Sequence, residues 1–509
     1  MKTVFSPQSS VFRKRFSTHY APRTTHHAPY YLRNSRLKNP LVLLAALLLV
    51  LSLFARAPEA ATLKAIRNMS DPVNVKIVLA IEGDVSWSDF VLHGPARLVV
   101  DLGGAGSPIV PYESYPGGPL LEGVRAAKYK ENMVRVVLDL KYLSPYHVKK
   151  TQLGDVEIYI RRKIPEERKK AALAPGVIRE RVVEMRESGP LTYHAVEVDP
   201  GMGYRIGIAG AAGGFGKLEK LSSIVDREGA LLGVNGGYFD MKTGMPIGLL
   251  VAGGQVLATG ERYRAFFGVD RAGAPVFMMP NVEVGAECGN GRRLYVHRLN
   301  AAPKVGERAA LTSIYKGERG AGGERWEYVV HGGVVREMRA AGGVIPAGGF
   351  VLSFPTVSAP DRSLMCGDEV LKVGDALKKL ITSWPDIGGI VEGFSAGPLL
   401  VEDGARKTSL VEDFTISSGI VSDRNPRTAV GVTGNGRMIF IVVEGRSVWS
   451  AGLFLDEVAE LLVERGAKTG MNLDGGGSSE IYAGGKILNR LSDGKERSLS
   501  NAILIYKKL

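Results

Sequence analysis

Val73, Val75, Ile77, Leu79 and Ile81 alternate without a break with Asn74, Lys76, Val78 and Ala80. Successive side chains of an extended strand point to opposite faces, so a period of two fits a strand buried on one side and not a helix. Leu98, Val100 and Leu102 repeat the pattern, then Val134, Val136, Leu138 and Leu140, and finally Val156, Ile158 and Ile160. Gly103-Gly104, Ser107-Pro108 and Pro116-Gly117-Gly118 break the runs where turns belong. Residues 62–160 therefore read as a small antiparallel β module with one buried face per strand. The chain holds 64 glycines in 509 residues, well above the usual share of about 7%. Such an excess suits tight turns and loops where backbone approaches a ligand closely.

The net charge of +13 is unevenly spread. Residues 1–39 carry eight Lys or Arg and no acid, leaving +5 on the other 470 residues, which is no nucleic-acid footprint. Leu41–Ala55 is an uncharged apolar run of 15 residues ended by Arg56. A basic stretch before a short apolar run reads as a secretory signal or an uncleaved anchor, and the run falls short of the ~20 residues that span a bilayer comfortably. Ala55-Arg56-Ala57 followed by Pro58 is a poor cleavage site, so both alternatives stand. Residues 1–39 are then a basic cytoplasmic region and 40–57 the signal or anchor, with the inner membrane as a partner if it is uncut. The rest of the chain is expected to be periplasmic or exported. Cys288 and Cys366 either pair in an oxidising compartment or remain two buried thiols. His93, His147, His194, His297 and His331 are scattered and show no metal-binding spacing.

Residues 161–189 shift to charge runs with Pro165 and Pro175 and read as a linker, helical in part. From 190 to 509 the chain reads as one long glycine-rich domain. Within it, Leu218, Leu221, Ile224 and Val225 keep helical spacing up to Gly229, a C-terminal cap, and an apolar strand then leads into Asn235-Gly236-Gly237. Leu455, Val458, Ala459, Leu461 and Leu462 repeat the helical stripe, capped at Gly466. A strand to Met471 runs on into Asn472-Leu473-Asp474-Gly475-Gly476-Gly477-Ser478-Ser479. This shared order reads as an internal pseudo-repeat, with chance identity in a chain rich in glycine and alanine as the alternative. It would set Asn235 and Asn472 at equivalent strand ends facing one cleft. The fold expected is α+β: an N-terminal all-β sandwich module and a larger mixed α/β, strand-rich domain.

The strongest local signal is the stretch 472–479. Its glycines free the backbone to expose consecutive N–H groups to an anion, and Asp474, Ser478 and Ser479 add acid/base or positioning groups. No Gly-Lys-Ser/Thr comes after it, and no dinucleotide fingerprint opens a helix. Arg427 and Thr428 introduce a second apolar strand, Met438 to Val443, that ends in Glu444-Gly445-Arg446. The arginine fork matches phosphate oxygens, and a second carboxylate beside Asp474 would complete the usual pair for cutting a glycosidic bond.

Two resemblances add to this. "ARLVVDLGGAG" and "MVRVVLDLKYLSPYHVKK" make residues 62–160 resemble the AMIN domain, a β-sandwich module, which implies targeting to peptidoglycan or another envelope component. "GVNGGYFD", "AFFGVDRAG", "EGFSAGPLLVEDG", "NPRTAVGVTGNGRMIFIVVEGR", "MNLDGGGSSEIY" and "DGKERSLSNAILIY" resemble the phosphodiester glycosidase family over roughly 190–509. The family implies hydrolysis of a sugar-1-phosphodiester in an envelope or exopolysaccharide glycan. Asp474, Glu444 and Arg427 are then the catalytic candidates. Asn235, Gly236, Thr428, Arg446, Asn472, Gly475, Gly476, Ser478, Ser479 and Arg497 are the substrate contacts. One departure is Glu444-Gly445 where the family commonly has Asp-Gly. No cofactor or metal site is expected, although the Asp474 and Glu444 oxygens are of the kind that suits calcium or magnesium. A non-catalytic glycan binder and an exopolysaccharide assembly factor are the alternative readings.

Overall fold

The computed structural model describes residues 60–106, 119–260, 264–319, 325–356, 364–408, 410 and 422–508, with 108, 113 and 114. The regions 1–39 and 40–57, read as a basic stretch and an export segment, lie outside the described residues. Among the described residues no helix is long and apolar enough to cross a membrane.

The alternating runs are strands. Thr62–Asn68, Asn74–Glu82, Val156–Arg161 and Tyr146–Lys150 form one antiparallel sheet. Ser86–His93, Ala96–Gly103, Met133–Leu140, Leu121–Lys130 and Glu113–Ser114 form a second. Val75, Ile77 and Leu79 share one core with Leu98, Val100, Val134, Val136 and Ile158, so the two sheets make a sandwich.

Residues 161–189 hold strands instead of a linker. Glu167–Ala174 and Val177–Arg186 form a hairpin whose second strand pairs with Gly189–Val198. Its charges face one another across the ladder, Arg181 to Glu167 at 2.7 Å and Arg168 to Glu184 at 3.2 Å. Both pairs are diagonal in the ladder, two residues off direct register, a separation that long side chains span. The hairpin is the edge of an eight-stranded sheet that continues through Gly189–Val198, Met438–Val443, Arg427–Thr433, Ala467–Asn472, Leu399–Glu402 and Ala405–Arg406.

Two five-stranded sheets cover its inner face. One runs Tyr204–Gly210, Asn501–Lys507, Leu232–Asn235, Ile481–Ala483, Lys486–Ile487. The other runs Gln255–Ala258, Leu250–Ala252, Ile390–Ser395, Phe266–Asp270, Pro275–Met278. Val196, Val430, Phe440, Val442 and Met471 meet Val234, Phe267, Phe394 and Ile503 in a common core. The predicted helices are present, each on an outer face. Leu221–Glu228 buries Leu221, Ile224 and Val225 against Ala502 and Leu504, and Leu455–Glu464 buries Val458 and Leu462 against Ala429 and Ile441.

These helices do not make the fold α+β. Strand accounts for 54% and helix for 6%, with two α-helices among the described residues, so the fold is mostly β. Sheets here bury their inner faces on other sheets, which leaves helices only the outer sides.

Between Pro275–Met278 and Ile390–Ser395, strands of one sheet, a further lobe is inserted. It has a three-stranded sheet (Arg293–Val296, Asn281–Cys288, Leu377–Trp384), a five-stranded sheet and its own core around Tyr328, Leu352 and Phe354. Cys288 and Cys366 are joined there as a disulfide.

Candidate active site

The strands Leu232–Asn235 and Ala467–Asn472 end in asparagines on facing sheets, Asn235 fully buried and Asn472 1% exposed. The Asn235 Oδ1 accepts from the Thr428 hydroxyl at 2.7 Å and the Glu480 N–H at 3.1 Å, while its Nδ2 donates to the Asp474 carbonyl at 2.7 Å. The Asn472 Nδ2 donates to the Tyr238 hydroxyl and the Gly397 carbonyl, each at 3.0 Å. Each asparagine therefore grips the segment just beyond the other. Asn235 and Thr428, expected to touch substrate, are used inside the protein instead. The Asn472 Oδ1 has no hydrogen-bond partner among the described residues. Gly236 is a close approach: a Cβ there would lie 2.0 Å from the Asn501 Oδ1.

Asp474 leaves this clamp half-buried at the start of the glycine loop. Burial raises its carboxyl to about 6, against the lowering effects of the Ser478 hydroxyl, the Gly475 N–H at 2.9 Å and the Arg497 charge. Four of the loop amides are committed to partners inside the protein, not fanned outward as the glycines suggested. Gly475 N–H bonds Asp474, Gly476 N–H donates to the Pro426 carbonyl at 2.9 Å, and the Ser478 and Ser479 N–H groups donate back to Gly475 and Gly476, each at 3.2 Å. Gly476 takes φ +62°, which the turn needs a glycine for, and a Cβ on Gly477 would lie 2.0 Å from the Arg497 Nη2 and so displace that side chain. The hydroxyl of Ser479 points into the protein without a partner among the described residues, whereas that of Ser478 lies 3.5 Å from the Arg497 Nη1.

Cations line the loop. Arg497 is oriented by Asp493 through its Nη2 at 2.6 Å. Arg446, at φ +53°, is held by the Asn425 Oδ1 at 2.8 Å and lies over Gly476. Arg427 is 2% exposed, donates to the Leu453 and Asp423 carbonyls at 3.0 and 2.8 Å, and has its pKa pushed down to about 10, chiefly by burial. It remains charged at neutral pH. Tyr238 lies within the fields of Asp474, Arg427 and Arg264; burial and Asp474 push its hydroxyl up, and the arginines oppose this.

Glu444 belongs to a different network. Its Oε1 meets the His194 Nε2 at 3.0 Å and the Arg490 N–H at 2.9 Å. The Arg179 Nη2 lies 2.9 Å from the His194 Nδ1. A guanidinium only donates, so Nδ1 accepts and the Nε2–H donates to Glu444. Burial lowers the His194 pKa, with the Glu444 hydrogen bond opposing, which fits this neutral tautomer. Glu444, Arg181, Trp449 and Arg490 line a cavity that does not include Asp474.

Glu480 is a site residue with no motif of its own, because directly after Ser479 it reads only as the opening of a strand. It is fully buried, its Oε1 accepts the Arg497 N–H at 2.9 Å, and burial pushes its carboxyl up to about 8. Tyr238 and His194 are equally silent in the sequence, each an isolated residue whose partners lie far along the chain. No group of three or more His, Cys, Asp or Glu among the described residues could hold a metal ion.

The stretch 324–506, which contains the Asp474 loop and all three site arginines, matches the phosphodiester glycosidase family, and residues 65–162 match the AMIN domain. These two stretches are where the chain is similar to a phosphodiester glycosidase domain and to an AMIN domain. An uncharacterized SPbeta prophage-derived protein of Bacillus subtilis (strain 168) is 32% identical over 117 residues, 23% of this chain. The chain spans only 18% of that curated relative's length. A hypothetical protein from Synechocystis superposes with a TM-score of 0.60 at 21% identity, covering 87% of this chain and 80% of that one. A protein from Burkholderia pseudomallei K96243 does so with a TM-score of 0.53 at 18% identity, covering 87% and 99%. At these identities the likeness is one of fold. The matched stretch 324–506 therefore sits in a mostly β scaffold shared with both.

Proposed function

We propose that the protein is an exported envelope hydrolase that cuts the bond between a sugar's anomeric carbon and a phosphodiester oxygen. The observation that carries this reading is Asp474: a carboxyl raised to about 6 by burial, on a glycine loop flanked by Arg446 and Arg497. Water adds to the anomeric carbon, the C1–O bond breaks, and its electron pair leaves with the phosphate oxygen. Asp474, ionised at neutral pH, takes the proton of the attacking water. Arg446 and Arg497 hold the phosphate and stabilise the charge that develops as it departs, with Arg427 adding to the field from within. A phosphate monoester is already a good leaving group, so the reaction places little demand on a general acid.

The AMIN domain supports an envelope address, and the joined cysteines suit an oxidising compartment. Residues 62–160 would carry the protein to peptidoglycan or another envelope component. To test the chemistry, residues 60–509 are incubated with an N-acetylglucosamine-1-phosphodiester and with a nucleoside diphosphate sugar, beside the Asp474→Asn variant, and free reducing sugar is measured by NMR. Release by the wild type alone is expected. Equal release by both proteins removes Asp474 from the chemistry, and no release from either substrate class removes the hydrolase reading.

A further inference from the structure

The cavity beside Glu444 lies where the hairpin 167–186 meets the segments around Glu444, Trp449 and Arg490. It measures about 490 Å³ and is lined by Ile164, Glu167, Arg181, Glu444, Trp449 and Arg490, among others. Ligand pockets run from about 300 to 1,000 Å³, so one sugar ring fits.

Its walls carry the inventory that recognises a polyhydroxyl ring. Trp449 is 41% exposed and offers an indole face for the C–H side of a sugar; the Arg490 guanidinium lies 6.0 Å from its ring. Glu444 is 6% exposed yet lines the cavity. Its Oε1 already holds two N–H donors, while its Oε2 takes no hydrogen bond from the described residues. The Arg179–His194 relay fixes the carboxylate from behind, so Oε2 is a preset acceptor for a hydroxyl. Arg181 and Arg490 supply donors. The two cations are matched by Glu167 and Glu444, and Arg181 pairs with Glu167 at 2.7 Å. This balance suits an uncharged ligand.

We infer that this cavity is a binding site for a neutral saccharide unit, separate from the Asp474 loop, with Glu444 as a hydroxyl acceptor. Its rim is tied to that loop: Asn489 donates to the Ser479 carbonyl at 2.9 Å, and the next residue, Arg490, donates to Glu444. A glycan chain held here would be presented to the neighbouring loop.

The test reads binding without turnover, so it stands apart from the hydrolase reading. The full-length chain in detergent is titrated with methyl N-acetylglucosaminide and methyl glucoside by calorimetry. Wild type, Asp474→Asn, Trp449→Ala and Arg490→Ala are compared, with thermal melts confirming that each is folded. Expected is binding of at least one glycoside by wild type and Asp474→Asn alike, weakened about tenfold or more in folded Trp449→Ala and Arg490→Ala. Binding lost in Asp474→Asn but kept in the other two would place the sugar at the Asp474 loop and overturn the inference. Absence of binding by the wild type would also overturn it.

Discussion

The Nδ2 of Asn235 donates to the backbone carbonyl of Asp474 at 2.7 Å, across 239 residues of sequence. The same amide's Oδ1 holds Thr428 and the Glu480 N–H, so one buried side chain ties its own strand to the segments around Thr428 and 474–480. Asn235→Ala should leave an N–H, a hydroxyl and a carbonyl unpaired, destabilising the fold by about 3 kcal/mol. Urea unfolding measures this. Asn235→Asp keeps the acceptor but not the donor to Asp474, so turnover should fall more than stability does.

Asp474→Asn should lower turnover about a thousandfold, within the range of a lost acid–base group, without moving the melting temperature down. With the carboxyl at about 6 and the ionised form active, wild-type kcat/KM should rise about tenfold per pH unit below 6 and level off above it. A rate that instead falls as pH passes 6 would make Asp474 a proton donor.

Glu480 has its carboxyl raised to about 8, so the folded state holds a proton that the unfolded chain releases near 4.5. Its contribution to stability is full below 4.5 and is lost as pH rises through 8. Glu480→Gln keeps the neutral shape, and its urea midpoint should change less between pH 5 and pH 8 than the wild type's. Identical pH dependence in both proteins would rule this out.

Cys288 and Cys366 close a loop with a sequence separation of 78 in the inserted lobe. Reduction, or Cys288→Ser, should lower that lobe's stability by about 2–4 kcal/mol. Melts with and without dithiothreitol check it. Turnover measured well below the melting temperature should survive, because no disulfide atom belongs to the Asp474 loop.

Much of the local structure was legible because it depends on neighbours in sequence. The alternation at Val75, Ile77 and Leu79 marks a buried strand face in any context, and the helices ending near Gly229 and Gly466 carry their own caps. The motif 472–479 likewise announced a glycine turn around Asp474. The charged stretch 161–189 was less legible, since its opposite charges pair only when the hairpin 167–186 folds back. The α+β expectation failed for a related reason: two clear helices say nothing about how many sheets bury one another.

Sequence alone determined the alternating strands of 62–160, the helix caps and the glycine positions, all set by sterics and burial within a few residues. Only the tertiary structure decided what each polar side chain faces. Asn235 and Thr428 turned inward to fasten two sheets, the amides of Gly475, Gly476, Ser478 and Ser479 found partners within the protein, and Glu444 joined His194 instead of Asp474. Those outcomes arise from strand register and sheet packing, where partners lie hundreds of residues apart and a shift of one residue would point the side chain to the other face.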